Sequence, residues 1–245
     1  MNINADYHTH TKYSHGLGTP EQNVLAAMER GLKRITITDH GPKCVFFGVT
    51  MEKLRAIRRE IDTLNKRFGN SITVLMGIEC NLIGDGICDL PEDPSIFDMV
   101  LLGYHRAVWP RDGMMWRFGL AALFSALADK VRASLAILKA LERYPIDIIS
   151  HPGEYLPVDI KTLASGAAQL GVALEINEKH STMDERQIHI AAEQGARFVV
   201  SSDAHDPRNV GLVGRALALA ERSGVLDRVV NLATPLTGSR LRFEF

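Results

Sequence analysis

Seven short stretches of this 245-residue chain each end a run of apolar residues with side chains of the kind that bind metal ions. His8 and His10 open the series and Asp203 and His205 close it, each pair two residues apart. In an extended chain, side chains at i and i+2 point to the same face. Five more candidate ligands lie between these pairs, namely His15, His40, Glu79, His105 and His151.

Strand-like and helix-like segments alternate along the chain, which is typical of parallel βα units. We expect seven strands, at residues 3–7, 35–38, 72–78, 99–103, 146–149, 172–176 and 198–200. Helices are expected over residues 19–31, 54–68, 120–138 and 157–170, from a Thr182/Glu185 capping box to Gly195, and from Asp206 and Pro207 to near Gly224. No linker rich in Pro, Gly or Ser interrupts residues 1–245, so the pattern favours a single domain. Its fold would be a closed or nearly closed barrel, with a doubly wound open sheet as the alternative.

In parallel α/β folds, chemistry collects at the carboxyl ends of the strands. Six of the seven expected strands run into a His, Glu or Asp at that end, whereas the sixth supplies Glu175 and Asn177, which are not obvious ligands. A barrel would bring these ends to one rim. Because zinc usually takes four ligands, nine candidates predict two or three divalent ions. Histidine and carboxylate without cysteine allow Zn²⁺, Mn²⁺ or Fe.

A multinuclear centre of this composition suits hydrolysis of a phosphate ester. The net charge of −1 disfavours nucleic acid or an anionic membrane as a partner, whereas a small phosphorylated substrate needs only a few local cations. Cys44, Cys80 and Cys88 show no C-x-x-C pattern, which suits a reducing cytoplasm. No signal peptide or apolar run of membrane-spanning length is seen. The oligomeric state is not predicted.

Taken in order, these stretches resemble the polymerase-and-histidinol-phosphatase (PHP) family, and most closely its stand-alone phosphatases. The resemblance covers nearly the whole chain. It lies in His8-Thr9-His10-Thr11, Ser14-His15, Thr38-Asp39-His40-Gly41, Gly77-Ile78-Glu79, His105, Ser150-His151-Pro152, Glu175-Ile176-Asn177 and Ser202-Asp203-Ala204-His205.

The resemblance implies a distorted (β/α)7 TIM-like barrel that carries a trinuclear metal centre. By this resemblance the first ion would be held by His8, His10, Glu79 and Asp203. The second would share Glu79 as a bridge and add His105 and His151. The third would be held by His15, His40 and His205.

The hypothesis for catalysis is metal-dependent hydrolysis of a phosphomonoester by a hydroxide held between the ions that flank Glu79. Asp39 or Asp203 would orient the water, and His205 or a metal-bound water would protonate the leaving group. Two cations are expected to reach the substrate phosphate, Arg106 and Lys179. Trp109 and Trp116, in a long loop over residues 106–119, would cover the mouth of the site or pack that loop, while His180 is a candidate supporting group and His189 a structural residue.

Three alternatives remain open from the sequence. A phosphodiesterase or 5′-end nuclease would use the same metals, although long polyanions need many basic contacts. An amidohydrolase also begins with H-x-H and ends with Asp, but usually carries a bridging lysine where this chain has Glu79. The third alternative is a non-catalytic metal-binding accessory domain, such as the PHP unit of bacterial polymerases.

Overall fold

Seven parallel strands and one short antiparallel strand build the sheet of this computed structural model, which describes residues 2–106, 108–113 and 129–233. The parallel strands neighbour one another in the order β1-β2-β3-β5-β6-β7-β8, and β4 pairs with β3. Their bounds are β1 Ala5–Thr9, β2 Arg34–Ile37, β3 Thr73–Gly84, β4 Ile87–Cys88, β5 Met99–Gly103, β6 Ile148–Ile149, β7 Ala173–Asn177 and β8 Phe198–Ser201.

Six α-helices accompany the strands in the described ranges: α1 Pro20–Glu29, α2 Met51–Phe68, α3 Lys130–Arg143, α4 Ile160–Leu170, α5 Glu185–Glu193 and α6 Gly214–Arg222. The apolar face of α2 is buried through Leu54, Ile57 and Ile61, at helical spacing. Side chains alternate across each strand, so Leu102 joins the large core shared with the helices and Leu101 joins a smaller separate core. Two cores divided by one sheet are what a barrel requires.

The barrel is nearly closed between β1 and β8, which confirms the predicted barrel over the open sheet. A parallel bridge joins Thr9 to Ala204, and the backbone N–H of His10 donates to Ala204 O at 2.8 Å. Elsewhere on this seam the buried side chain of Asn231 links β1 and β8 in place of backbone hydrogen bonds between them. Its amide nitrogen donates to Ala5 O at 2.8 Å and Val200 O at 2.7 Å, and its oxygen accepts from Val200 N at 3.0 Å.

Two expected boundaries differ from the structure near β3 and α5. The third strand was expected to end at Ile78, but β3 continues to Gly84 because it forms a hairpin with β4. The capping box of α5 uses Asp184 and Gln187, not Thr182 and Glu185. Asp184 accepts from the backbone of Gln187 at 2.8 Å, and the side chain of Gln187 accepts in return at 3.0 Å.

The last expected helix was wrong at its start. Asp206 and Pro207 open only a 3₁₀ turn over Pro207–Asn209, because the chain then turns at Gly211 with a φ of +73°. The α-helix begins at Gly214. The helix expected over residues 120–138 is described only from Lys130, and Trp116 lies outside the described residues. Within the described ranges, no helix combines the length and hydropathy needed to span a bilayer.

Replacing Asn231 with alanine should loosen the seam of the barrel. The change leaves Val200 N–H and two buried carbonyl oxygens unpaired, so we expect a loss of roughly 2–4 kcal/mol in the free energy of unfolding. Urea denaturation of Asn231→Ala and of the exposed control Asn70→Ala checks this. Equal stability of the two variants would contradict the role of Asn231 in closure.

Candidate metal centre

Three groups of metal-type ligands lie together beside a cavity of about 240 Å³ at the carboxyl-end side of the barrel. Within each group, one ligand atom per residue lies within 4.8 Å of the others. The groups are His10, His15, His40 and His205; His8, His10 and Asp203; and His40, Glu79 and His105. All nine side chains that the sequence predicts as metal ligands therefore converge here, His151 included, since it also lines the cavity.

Glu79 lies at the middle of the centre and within β3. Its Oε2 atom lies 3.4 Å from His8 Nε2 and 3.5 Å from His10 Nε2. The same oxygen lies 3.1 Å from His40 Nδ1, but that nitrogen has no partner in hydrogen-bonding geometry. One carboxylate oxygen therefore faces three imidazoles that come from the ends of β1 and β2.

The other oxygen of Glu79 faces a separate set of groups. Its Oε1 atom lies 2.8 Å from His151 Nε2 and 3.4 Å from His105 Nε2, and it accepts from Ser150 Oγ at 2.9 Å. No side chain fits at Gly103 beside them, because a Cβ there would lie 2.6 Å from Ser150 Oγ. Glu79 thus presents one oxygen to each of two histidine sets.

Asp203 completes the group formed by His8 and His10. Its Oδ1 atom lies 3.4 Å from His10 Nε2 and 3.8 Å from His8 Nε2, and it has no hydrogen-bond partner although it is buried. Its Oδ2 atom accepts from Asn177 Nδ2 at 3.2 Å. Asp203 itself has a φ of +50°, a left-handed conformation that few non-glycine residues adopt and that is commonest at functional sites.

The third group consists of imidazoles. Nε2 of His205 lies 2.5 Å from Nε2 of His15, and the ring of His15 stacks on that of His40 with centroids 4.8 Å apart. Nδ1 of His205 is 2.9 Å from the carbonyl oxygen of Asp203. A carbonyl can only accept, so this contact favours the tautomer with the proton on Nδ1, whose Nε2 lone pair faces His15.

Buried atoms without a hydrogen-bond partner indicate that these residues fit divalent ions. The described structure gives no hydrogen-bond partner to five buried atoms of these residues: Nδ1 of His10, His15, His40 and His151, and Oδ1 of Asp203. Buried polar atoms are rarely left unpaired, and a cation would satisfy both Oδ1 of Asp203 and the ring nitrogens that face Glu79. The donors are imidazole nitrogens and carboxylate oxygens, which Zn²⁺, Mn²⁺ and Fe accept.

Burial keeps most of the imidazoles neutral, the form that binds a metal. It lowers the pKa of His15 to about 3 and the pKa values of His105 and His205 to about 4. The pKa of His10 also lies well below its usual value for the same reason. At neutral pH each of these rings therefore carries one N–H and one lone pair, and the lone pair is available to a metal ion.

The carboxylates stay ionised in spite of burial. Burial alone would raise the pKa values of Glu79 and Asp203, but the surrounding imidazoles hold both well below the ordinary range. For His8 burial is outweighed by nearby carboxylates, Glu175 first among them, and the pKa of His8 lies well above its usual value. In the protein without ions, His8 therefore carries a proton that a cation would displace.

Glu175 is the supporting residue that the sequence analysis missed. It is fully buried in β7, and its Oε1 atom is 2.8 Å from His8 Nδ1. Its Oε2 atom accepts from the backbone N–H of His151 at 2.8 Å and from Asn177 Nδ2 at 2.9 Å. A carboxylate on Nδ1 fixes the ring so that Nε2 faces the metal. Its position at the same strand end as the ligands was the available signal.

Asn81 supports His105 in the same manner. Its side-chain oxygen is 2.7 Å from His105 Nδ1, and its amide nitrogen donates to Asp89 Oδ2 at 2.8 Å. Asp89 Oδ1 accepts from the backbone N–H of Asn81 at 2.6 Å. The β3–β4 hairpin, which was not predicted, therefore anchors the ring that faces Glu79. Nothing in the sequence pattern marked these two residues.

Asp6 and Asp39 are buried carboxylates that brace the loops carrying the ligands. Asp6 Oδ2 accepts from Ser202 Oγ at 2.5 Å and from Gly211 N at 2.8 Å. Asp39, a predicted catalytic residue, accepts from Thr11 N and Oγ1 at 2.8 and 2.6 Å and from Ser14 Oγ at 2.5 Å. Both of its oxygens are thus occupied, which favours a positioning role for the loop that carries His15 over contact with a water.

The two predicted substrate-binding cations lie at different distances from the centre. Lys179 lines the cavity, with Nζ 3.8 Å from Asp203 Oδ1 and 3.1 Å from His205 Nδ1. Arg106 is exposed, and its guanidinium lies 4.5 Å from the ring centroid of Tyr155, which lines the cavity. Arg106 therefore reaches only the rim.

The remaining aromatic candidates take different places. His180 lines the cavity, with Nε2 3.6 Å from Asp203 Oδ2. His189 lies on the exposed surface of α5 and faces Glu193. Trp109 is exposed, and its backbone N–H donates to Lys43 O at 3.1 Å, so the described part of the long loop is attached to the β2–α2 connection.

Comparison with known proteins agrees with this geometry. Residues 6–202 match the PHP domain. A protein named "probable phosphatase" from Shewanella sp. (strain ANA-3) is 31% identical over 90% of this chain and 84% of its own length. The DNA polymerase/3′-5′ exonuclease PolX of Bacillus subtilis (strain 168) is 29% identical over 92% of this chain but only 39% of its own length.

A solved structure has the same fold. The histidinol phosphate phosphatase of Lactococcus lactis subsp. lactis Il1403, crystallised with zinc, L-histidinol and phosphate, matches with a TM-score of 0.65. The match covers 95% of this chain and 96% of that chain at 18% identity. The chain belongs to the PHP family. Family, fold and ligand groups together make it a metal-dependent phosphoesterase.

Replacing Glu175 with glutamine should weaken metal binding without touching a ligand. A carboxamide cannot accept from both His8 Nδ1–H and His151 N–H, so one donor loses its partner. We expect metal affinity to fall about 10–100-fold. A competition titration against a chromophoric chelator measures it, with the exposed Glu193→Gln as the matched control. Unchanged affinity in Glu175→Gln would contradict its role.

Proposed function

We propose that the protein hydrolyses a small-molecule phosphomonoester at a trinuclear metal centre. The observation that carries the proposal is the placement of Glu79, whose two oxygens face two different histidine sets at 2.8–3.5 Å. Divalent ions held there would supply a water of lowered pKa and neutralise phosphoryl oxygens. The third group, around His15 and His205, would extend the centre along the cavity.

The protein's own residues would hold and orient the reacting groups. Nδ1 of His8 and of His105 faces an oxygen acceptor, Glu175 Oε1 and Asn81 Oδ1 respectively, so that Nε2 of each ring faces the centre. His205 follows the same pattern, with Nδ1 against a backbone carbonyl. We therefore assign His205 to metal binding in place of the proton-donating role expected from the sequence.

Lys179 is the residue of choice for the substrate phosphate. Its ammonium group is a compact charge with three donors, and it lies on the cavity wall beside Asp203 and His205. The buried histidines and carboxylates would form the floor of the cavity, where exclusion of bulk water strengthens charge interactions. Arg106, at the rim, is a second cation for an extended substrate.

A nuclease is the second candidate function. The similarity to the PolX protein favours it, since the name of that protein includes a 3′-5′ exonuclease. The match covers 92% of this chain and 39% of the PolX protein. Against it stands the net charge of −1, since a nucleic-acid track needs several phosphate contacts by Lys and Arg. The modest volume of the metal cavity, about 240 Å³, also suits a small molecule.

The test is a comparison of substrates on protein loaded with Mn²⁺ or Zn²⁺. We expect turnover of phosphomonoesters, histidinol phosphate included, to exceed that of a phosphodiester and of short oligonucleotides. Glu79→Gln should lower kcat/KM by at least about 10²-fold, because the charge that holds two cations in place is lost. Absence of turnover in fully metallated protein would refute the hydrolase, and faster cleavage of oligonucleotides would establish the nuclease instead.

The number of ions is tested separately from activity. Elemental analysis of the protein after equilibration with metal and gel filtration should give three ions per chain. In Glu79→Gln the count should fall by up to two, while Glu193→Gln retains three. A single ion per chain in the unmodified protein would refute the multinuclear centre.

A further inference from the structure

A second cavity, of about 390 Å³, adjoins the metal centre on the side of β8 and α6. It shares three lining residues with the metal cavity, Lys179, Asp203 and His205. From there it extends to Asn209 and Arg215, which the metal cavity does not touch. A phosphoester whose phosphoryl group lies at the metal ligands would thus have room beside Lys179 for the rest of the molecule. We call this cavity the leaving-group cleft.

Arg215 is held in a fixed orientation at the far wall of the leaving-group cleft. Its Nε atom donates to Glu178 Oε1 at 3.0 Å and its Nη2 atom donates to Glu178 O at 2.7 Å. The second oxygen of Glu178 accepts from the backbone N–H of Ala216 at 2.8 Å, in the first turn of α6. Glu178 is therefore itself fixed, and an arginine fixed in this way loses little side-chain entropy on binding a ligand.

The guanidinium group of Arg215 still has donors to offer. Its Nη1 atom has no hydrogen-bond partner among the described residues, and its side chain is 73% exposed. Lys179 directly follows Glu178 and places a second cation on the wall that the two cavities share. The backbone N–H of Lys179 donates to Asn177 Oδ1 at 2.9 Å, which fixes that turn. The carboxylates of Glu178 and Asp203 line the cleft as well, and Glu178 pairs with Arg215. The open Nη1 donor of Arg215 and the ammonium group of Lys179 are the groups there that would bind an anion.

We propose that the leaving-group cleft binds the alcohol part of the substrate and that Arg215 recognises a carboxylate on it. This assignment rests on the phosphomonoesterase function proposed above. Lys179 would take the phosphoryl group, and Arg215, beyond it, the carboxylate. The substrate class is then a small phosphorylated hydroxy acid.

A different edge of the centre would select a different substrate. The ring of Phe47 stacks on that of His15 with centroids 4.4 Å apart, and Phe46 beside it is 75% exposed. An aromatic leaving group would lie there. The leaving-group cleft is favoured because it is a cavity with a cation fixed by two hydrogen bonds, whereas the phenylalanines offer only exposed surface.

The experiment compares two substrates that differ by one charge, 3-phosphoglycerate and glycerol 3-phosphate, with an aryl phosphate as the third. The unmodified metallated protein should have a lower KM for 3-phosphoglycerate. Arg215→Ala should raise that KM about tenfold, the effect of losing one charge-assisted hydrogen-bonded pair, and change kcat and the KM for glycerol 3-phosphate by less than about twofold. Arg215→Lys keeps the positive charge but not the planar guanidinium group. Its KM for 3-phosphoglycerate should therefore lie between those of the unmodified protein and Arg215→Ala.

Arg222 supplies the matched control. It lies on the same helix and pairs with Glu185 at 2.6 Å in a comparable exposed ion pair, but it does not line the cleft. Arg222→Ala should therefore leave both KM values unchanged. The proposal would be overturned if Arg215→Ala raised the KM for 3-phosphoglycerate and for glycerol 3-phosphate equally. A lower KM of the unmodified protein for the aryl phosphate would overturn it as well. If no monoester is turned over, the proposed function fails and the cleft assignment fails with it.

Discussion

The buried charge of Glu79 is the constraint on which the rest of the structure depends. Its carboxylate is ionised, 1% exposed and lies at the centre of the barrel end. A carboxylate taken out of water costs several kcal/mol unless charges and hydrogen bonds around it compensate. The neighbouring imidazoles, mostly kept neutral by their own burial, compensate only in part. Divalent cations bound among these ligands would balance the charge, which is why the arrangement suits a metal centre and not a hydrophobic core.

Around that centre, the backbone takes conformations that a packed core alone would not require. Both His151 and Asp203 have positive φ, +27° and +50°, and each is separated from a short buried strand by one residue, Ser150 and Ser202 respectively. Non-glycine residues in this region cost of order 1–3 kcal/mol each and persist where the surroundings over-determine them. Here the surroundings do so, since Glu175 holds His151 N–H and Asn177 holds Asp203 Oδ2. In these conformations the side chain of His151 faces Glu79 and that of Asp203 faces His10.

The sequence predicted the barrel and the convergence of the ligands because both follow from local patterns. Strand periodicity followed by a ligand, repeated around a parallel sheet, leaves few other places for His8 or His40 to lie. It did not predict a supporting role for Glu175. A buried carboxylate on a strand is stable only with a partner, and the partner of Glu175 is His8, 167 residues away in the chain. The same holds for Asn81, whose pairing with Asp89 depends on a hairpin with two-residue β4. For Asp39 the sequence suggested a catalytic role, because this residue precedes His40. The sequence did not show that Thr11 and Ser14 donate hydrogen bonds to both oxygens of Asp39.

In the proposed arrangement, substrate specificity and metal chemistry lie on different parts of the chain. The ligands of the centre stand on or next to strands, whose hydrogen bonds to both neighbours fix them closely. Arg215 stands instead on α6, and its guanidinium group donates to Glu178, one residue past β7. A change at Arg215 therefore disturbs no strand and no ligand, while a change at Glu175 disturbs both. In the proposed arrangement, substitutions along the cleft beside α6 would therefore alter the choice of leaving group without loss of the metal centre.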